Sequence, residues 1–148
     1  MTIEATTGVA TLVDSNVLLD VARADPVWSG WSEDALARAA DEGPLLISPI
    51  IYAEVSASYE IVEEVDAALD SAVFLRAEVP WPAAFLAGRC HVTYRRRGGS
   101  GIRTRIRTLP DFFIGAHAAV LGLRLLTRDA ARYRTYFPTV ELIAPAPG

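Results

Sequence analysis

Lysine is absent from the 148-residue chain, and all 14 basic residues are arginine. Chemistry that rests on a lysine ammonium is thereby excluded. This removes a phosphorelay receiver, which needs a lysine near its phosphoaspartate, and a GxxxxGK[ST] phosphate loop. Cysteine occurs once, at Cys90, so neither an internal disulfide nor a thiolate zinc cluster is expected, and a reducing cytoplasm is the expected location. No apolar run approaches the roughly 20 residues of a membrane helix, so no membrane partner is expected. The opening MTIEATTGVATLVDSNV carries an acid and no basic cluster ahead of a long apolar block, unlike a secretory signal. Asp14-Ser15-Asn16 lacks the second aspartate of the aspartate-nucleophile phosphatases.

A 51% apolar content and a mean hydropathy of +0.25 exclude intrinsic disorder. The length suits a single domain over residues 1–148, with a core about 10–143, a short N-terminal extension and a Pro-rich C-terminal tail. Charge is divided unevenly: residues 1–82 hold 15 acids and three arginines, whereas residues 83–148 hold three acids and 11 arginines. Such asymmetry points to contact with a polyanion, unless the two halves interleave in space and neutralise each other.

Short apolar runs alternate with stretches of helical period. Val9–Val13, Leu45–Ile47, a segment near Val73–Val79, Leu123–Leu126 and Val140–Ile143 read as strands. Between them, helices are expected from Val17, from Ser29 or Ser32 as cap, from Ser48-Pro49, over Val62–Ala72, over Ala83–Arg97, from Pro110-Asp111 to Gly122, and from Asp129 to Tyr136. The alternation predicts an α/β fold with a mostly parallel central sheet and helices on both faces, which collects ligands at the carboxyl ends of its strands.

Four acids fall near that edge. Asp14 and Asp129 follow strands, Asp111 opens a helix, and Glu54 sits in the second turn of a helix that leaves a strand. Each aspartate alone also suits a helix cap. Glu54 has Ile50, Ile51, Ala57 and Ser58 around it at helical spacing, and a glutamate beside an apolar face needs compensation. Carboxylates gathered in one pocket repel, and a hard divalent ion, Mg²⁺ or Mn²⁺, relieves the conflict. Two such ions, about 3.5–4 Å apart, would steady the attacking and leaving oxygens of a phosphodiester displacement. Ser15, Asn16 and Thr127 stand ready to support the site, the two hydroxyls by positioning water or a phosphate oxygen. On this reading, neutralising Asp14 or Asp111 raises stability in the absence of metal.

Arg95, Arg96, Arg97, Arg103, Arg105 and Arg107 lie just upstream of Asp111 and suit phosphate contact, with Tyr94 placed to stack a base. Other features read as structural. His117 is expected to be a hydrogen-bonded core residue and His91 an exposed part of a basic helix. Trp28, Trp31 and Trp81 are expected in the core or at a dimer contact, and Cys90 is expected to be unreactive.

LVDSNVLLD (12–20), IYAEV (51–55), LPDFFIGAHA (109–118) and LLTRDAARYRTYFP (125–138), in this order, resemble the PIN-domain proteins, specifically VapC-type toxins. The resemblance implies a PIN-like three-layer α/β/α fold and a Mg²⁺- or Mn²⁺-dependent endoribonuclease. It also implies a homodimer, a tRNA or rRNA loop as substrate, and inhibition by a cognate VapB-type antitoxin. Position by position, it assigns the acidic set to Asp14, Glu54, Asp111 and Asp129 and the small hydroxyl to Ser15. A housekeeping PIN-domain RNA-processing nuclease and a non-catalytic RNA-binding module are the alternatives.

Overall fold

Strands of two or three residues build the sheet. The computed structural model describes residues 8–97 and 109–147. Within them the chain runs β1 (Thr11–Val13), α1 (Ser15–Ala22), α2 (Ser29–Glu42), β2 (Leu45–Ile47), α3 (Pro49–Ser56), α4 (Val62–Ala68), β3 (Phe74–Arg76), α5 (Trp81–Arg96), α6 (Leu109–Leu121), β4 (Arg124–Leu126), α7 (Ala131–Arg134) and β5 (Leu142–Ile143). The strands form one sheet in the order β3-β2-β1-β4-β5, every pairing parallel, with helices flanking it. β1 is central, and all three of its residues are buried, as expected where helices cover a parallel sheet. The chain adds strands to one side of β1 and then returns to add β4 and β5 on the other. The gap between the carboxyl ends of β1 and β4 is therefore the switch point where such folds hold ligands.

Local chemistry accounts for most boundaries. Ser48 caps α3 by accepting the Ile51 N–H at 3.3 Å, and Pro49 fills the first helical position. Gly122, at φ 65°, takes the left-handed conformation that closes α6. Neither Ser29 nor Ser32 caps α2, contrary to expectation. The turn before α2 is tied instead by Asp25, whose Oδ1 accepts the N–H groups of Val27 and Trp28 at 2.8 Å each, and the Ser32 hydroxyl turns to Asp20 at 2.9 Å. The strands and several helices are shorter than their apolar runs. Val9 lies outside β1, α4 ends at Ala68, and α7 at Arg134. Residues 98–101, where a glycine break is expected, lie outside the described residues. Among the described residues, no helix is long and apolar enough to cross a membrane.

The core joins Leu12, Val13, Ile47, Ile51, Leu125 and Leu126 to Phe112 and Phe137. Phe112 of α6 collects an aromatic cluster: Tyr136 at 5.1 Å, Tyr94 at 5.7 Å and Phe137 at 6.4 Å between ring centroids. Close approach of Phe137 to α6 requires Gly115, because a Cβ there would lie 2.3 Å from the Phe137 ring. Gly115→Ala is therefore expected to lower unfolding free energy by about 1–3 kcal/mol, measured by urea denaturation, through overpacking of the Phe137 contact.

Candidate functional site

Asp14 follows β1 directly, and its backbone continues the sheet, donating its N–H to Leu126 O at 2.9 Å. It occupies the N-cap position of α1, yet its side chain makes no capping hydrogen bond. The carboxylate is instead buried, with Oδ2 accepting from the Thr127 hydroxyl at 2.9 Å and from the Tyr133 hydroxyl at 2.8 Å. Burial raises the Asp14 carboxyl above the ordinary aspartate range, against the pull of these two hydrogen bonds and of the Arg132 charge. Burial, followed by the negative charges of Asp14 and Asp111, pushes the Tyr133 phenol well above its ordinary value, so it stays a donor.

The Ser15 hydroxyl has one proton and two candidate acceptors. Glu54 Oε1 at 2.7 Å is far better placed than Asp14 Oδ1 at 3.5 Å, so the hydroxyl belongs to Glu54. This contact joins α1 to α3. Burial raises the Glu54 carboxyl; the Ser15 bond opposes the shift, and the charges of Asp14 and Asp111 add to it. On the other side, Thr127 Oγ1 accepts the Asp129 N–H at 3.0 Å and the Asn16 amide at 3.4 Å, leaving its own proton for Asp14. The loop after β4 is further fixed by Arg128, whose N–H donates to Asn16 Oδ1 at 3.2 Å. The Arg128 guanidinium grips both oxygens of buried Asp20 at 2.8 and 3.2 Å and lies over the Trp28 ring.

Asp111 is buried in the first turn of α6, and Asp129 is more exposed. Arg132 links them, Nη1 lying 3.3 Å from Asp111 Oδ1 and Nε 3.4 Å from Asp129 Oδ2. Burial works against the charge of Arg132, but Asp111, Tyr133, Asp14 and Asp129 outweigh it and hold the guanidinium cationic. Among the described residues, no three carboxylate, histidine or cysteine side chains are gathered as a ready ligand set. The donor chemistry nevertheless fits a hard divalent ion: the oxygens are all carboxylate or hydroxyl, and the charges of Asp14 and Asp111 oppose the ionisation of partly buried Glu54. Arg132 and Tyr133 are the residues that sequence reasoning missed. Both sit on a four-residue helix, and Asp111 and Asp14, which they face, come from distant segments.

The remaining candidates divide. Arg95, Arg96 and Arg97 are exposed at the end of α5 and form no ion pair among the described residues; Arg97 lies over the Tyr136 ring. Arg103, Arg105 and Arg107 lie outside the described residues. Tyr94 is engaged edge-on with Phe112 and Tyr136. His117 is fully buried, but neither ring nitrogen has a hydrogen-bond partner among the described residues, and burial lowers its pKa, so it sits as a neutral, unsatisfied imidazole. His91 is half-buried and edge-on to Phe112, not part of an exposed basic face. Trp31 packs on the core, whereas Trp81 is 87% exposed. Cys90 is buried, which raises its thiol pKa and disfavours the thiolate.

Asp14 and Asp111, the two buried aspartates among the candidate site residues, differ in a measurable way. Asp14 titrates above its unfolded value, so its contribution to stability is full at low pH and is lost as pH rises through the folded value. An asparagine keeps an amide oxygen for both Thr127 and Tyr133. In EDTA, Asp14→Asn is expected to raise the Tm by about 3 °C at pH 7, with the gain vanishing towards about pH 4. Asp111→Asn, by contrast, removes a carboxylate from Arg132 and is expected to lower the Tm, contrary to the sequence-based expectation for both. Scanning calorimetry across pH checks both.

Residues 11–138 match the family model described as PIN domain. No curated protein matches the chain. Among solved structures, a chain of VapBC2 from Rickettsia felis, bound to a DNA fragment from its promoter, is similar over 91% of this chain and 98% of that one, with TM-score 0.67 and 17% identity. VapBC-1 from nontypeable Haemophilus influenzae gives TM-score 0.67, 16% identity and coverage of 91% and 97%. A toxin–antitoxin complex from Klebsiella pneumoniae gives TM-score 0.61, 23% identity and coverage of 88% and 94%. These likenesses speak to the fold. With an all-parallel sheet in the order β3-β2-β1-β4-β5 and a family match that runs from β1 past α7, the chain belongs to the PIN-domain family.

Proposed function

We propose that the chain is a divalent-metal-dependent endoribonuclease of the VapC type, the toxin of a toxin–antitoxin pair. PIN domains are nucleases, which supports hydrolysis of a nucleic acid. The observation that carries the reading is the Asp14 carboxylate, buried at the switch point of the sheet and unused as a cap, next to the Ser15–Glu54 pair. Two acids that follow the adjacent strands β1 and β4, with one inside α3 and one in the first turn of α6, serve no common capping purpose, but they suit a shared hard cation. Asp14, Glu54, Asp111 and Asp129 would hold it. When bound, the ion supplies the charge that lets these carboxylates ionise together and activates water for in-line attack on the phosphodiester.

The protein's own groups orient the site. Thr127 and Tyr133 fix the Asp14 carboxylate through one oxygen, and Ser15 fixes Glu54. Arg95, Arg96 and Arg97 take the RNA phosphates without reading a base, which fits a tRNA or rRNA loop presented by shape. Similarity to chains from VapBC and other toxin–antitoxin complexes supports a VapB-type antitoxin as inhibitor. An arginine-bearing antitoxin tail suits the anionic pocket electrostatically. Exposed Trp81 and Phe85, four residues apart on α5, support a homodimer contact.

Purified protein is expected to cut RNA with Mg²⁺ or Mn²⁺, leaving 5′-phosphate and 3′-hydroxyl ends. Excess EDTA or Asp14→Asn is expected to abolish cleavage, and the mutation to relieve growth arrest when the protein is expressed alone. Undiminished cutting in EDTA would overturn the scheme. Replacing Arg95, Arg96 and Arg97 together by alanine is expected to reduce the slope of log affinity against log salt by about 2 for single-stranded RNA. Filter binding across a salt series measures it, and an unchanged slope would assign those arginines to the surface alone.

A further inference from the structure

We propose that Arg132 is a built-in counter-cation that occupies the carboxylate pocket in competition with the divalent ion, so that metal binding requires Arg132 to release Asp111. This inference rests on the metal-dependent reading above and extends it to how the pocket is held before metal arrives. Arg132 sits between two of the four acids and touches each through a single contact, at 3.3 and 3.4 Å. Both distances exceed the roughly 2.7–2.9 Å of a tight charge-assisted hydrogen bond, and neither contact from Arg132 has the two-pronged form. Arg128 provides the contrast within the same chain. It holds Asp20 through both oxygens at 2.8 and 3.2 Å, as a structural ion pair does. The Arg132 contacts to Asp111 and Asp129 have the geometry of a bridge that neutralises two acids at once.

Its place in the chain supports the same role. Arg132 neighbours Tyr133 on α7, and Tyr133 is anchored by its hydrogen bond to Asp14. The backbone that carries Arg132 is therefore fixed to the pocket, while the side chain remains 24% exposed at its mouth. A divalent ion on Asp111 would take the oxygen that Arg132 faces and would place two like charges within a few ångströms. Occupancy of the same carboxylate is then mutually exclusive or strongly anticooperative. The consequence is a pocket that is electrostatically tolerable without metal and that binds metal more weakly than its four acids alone would.

The test is Mn²⁺ titration by calorimetry, with the metal-free Tm measured alongside, on the full-length protein and its Arg132→Gln and Arg132→Lys variants. Arg132→Gln is expected to bind Mn²⁺ about tenfold more tightly and to melt lower in EDTA, since removal of the cation helps the metal and exposes the acids to one another. Arg132→Lys keeps the charge but reaches one carboxylate at a time, and is expected to fall between the two. It carries the test by itself if the glutamine variant does not fold. Mn²⁺ affinity unchanged or weakened in the variants, while the wild type binds, would overturn the role of Arg132 and leave the metal-dependent reading standing. Lost cleavage with unchanged Mn²⁺ affinity would do the same and would assign Arg132 to the substrate phosphate. Absence of Mn²⁺ binding by wild type and variants alike would remove the metal-dependent reading, and this inference with it.

Discussion

A carboxylate buried at the end of the central strand is the constraint around which the rest of the site is arranged. Asp14 cannot retreat into water, because its own backbone is part of the sheet ladder. Its charge must therefore be met by groups brought to it, and those groups come from the far end of the chain. Thr127 arrives on the strand next to β1, and Tyr133 on α7. The position of α7 depends in turn on Phe137, which is buried against α6 at a point where only glycine leaves room. A packing detail on α6 is thus transmitted through Phe137 and α7 to the oxygen atoms of Asp14. Core and site form one cooperative unit, so core substitutions far from the acids act on their geometry.

The uneven distribution of charge along the chain is partly resolved by folding. Arg124 pairs with Glu42 at 2.7 Å and Arg128 with Asp20, so two arginines of the basic half neutralise acids of the acidic half. Arg132 is spent within its own half, on Asp111 and Asp129. The arginines at the end of α5 follow neither pattern and remain exposed. Interleaving therefore accounts for Arg124 and Arg128 better than for Arg95, Arg96 and Arg97. This division matters for ligand contact: a guanidinium already fixed by a buried carboxylate has little to gain from phosphate, whereas one in solvent releases counterions when it binds.

The family, the parallel sheet and its approximate strand positions were legible in the sequence, because short buried strands and helix starts carry local signatures. Ser48-Pro49 and Gly122 act where their chemistry suggests. Competing local signals misled at α2, since a serine near a helix start has the same composition whether it caps or, like Ser32, serves a buried acid. The sequence leads one to expect a partner for His117, and its burial without one among the described residues is a tertiary outcome that no spacing rule conveys. The acids were visible as candidates because Asp14 and Asp129 follow strands, Asp111 starts a helix and Glu54 sits beside an apolar helix face. What surrounds them was not visible: a tyrosine and an arginine on a single helical turn give no periodic signal, and their roles exist only once β4 has paired with β1.

The hydrogen-bond directions around Asp14 carry the argument one step further. Thr127 accepts from Asp129 and Asn16, which commits its only proton to Asp14 Oδ2, and Tyr133, held as a phenol, adds a second donor to the same oxygen. The Ser15 proton is drawn away to Glu54. Oδ2 is thus saturated by hydroxyl groups, and no hydroxyl is committed to Oδ1. A carboxylate treated in this way is asymmetric: one oxygen is structural, and the other keeps its capacity for a cation. Burial makes ionisation of such a group unfavourable without a nearby positive charge, and Arg132 supplies only part of that charge from its station on Asp111 and Asp129. Burial thus sets the Asp14 carboxyl above its ordinary range, and a further cation in the pocket would favour its ionised form.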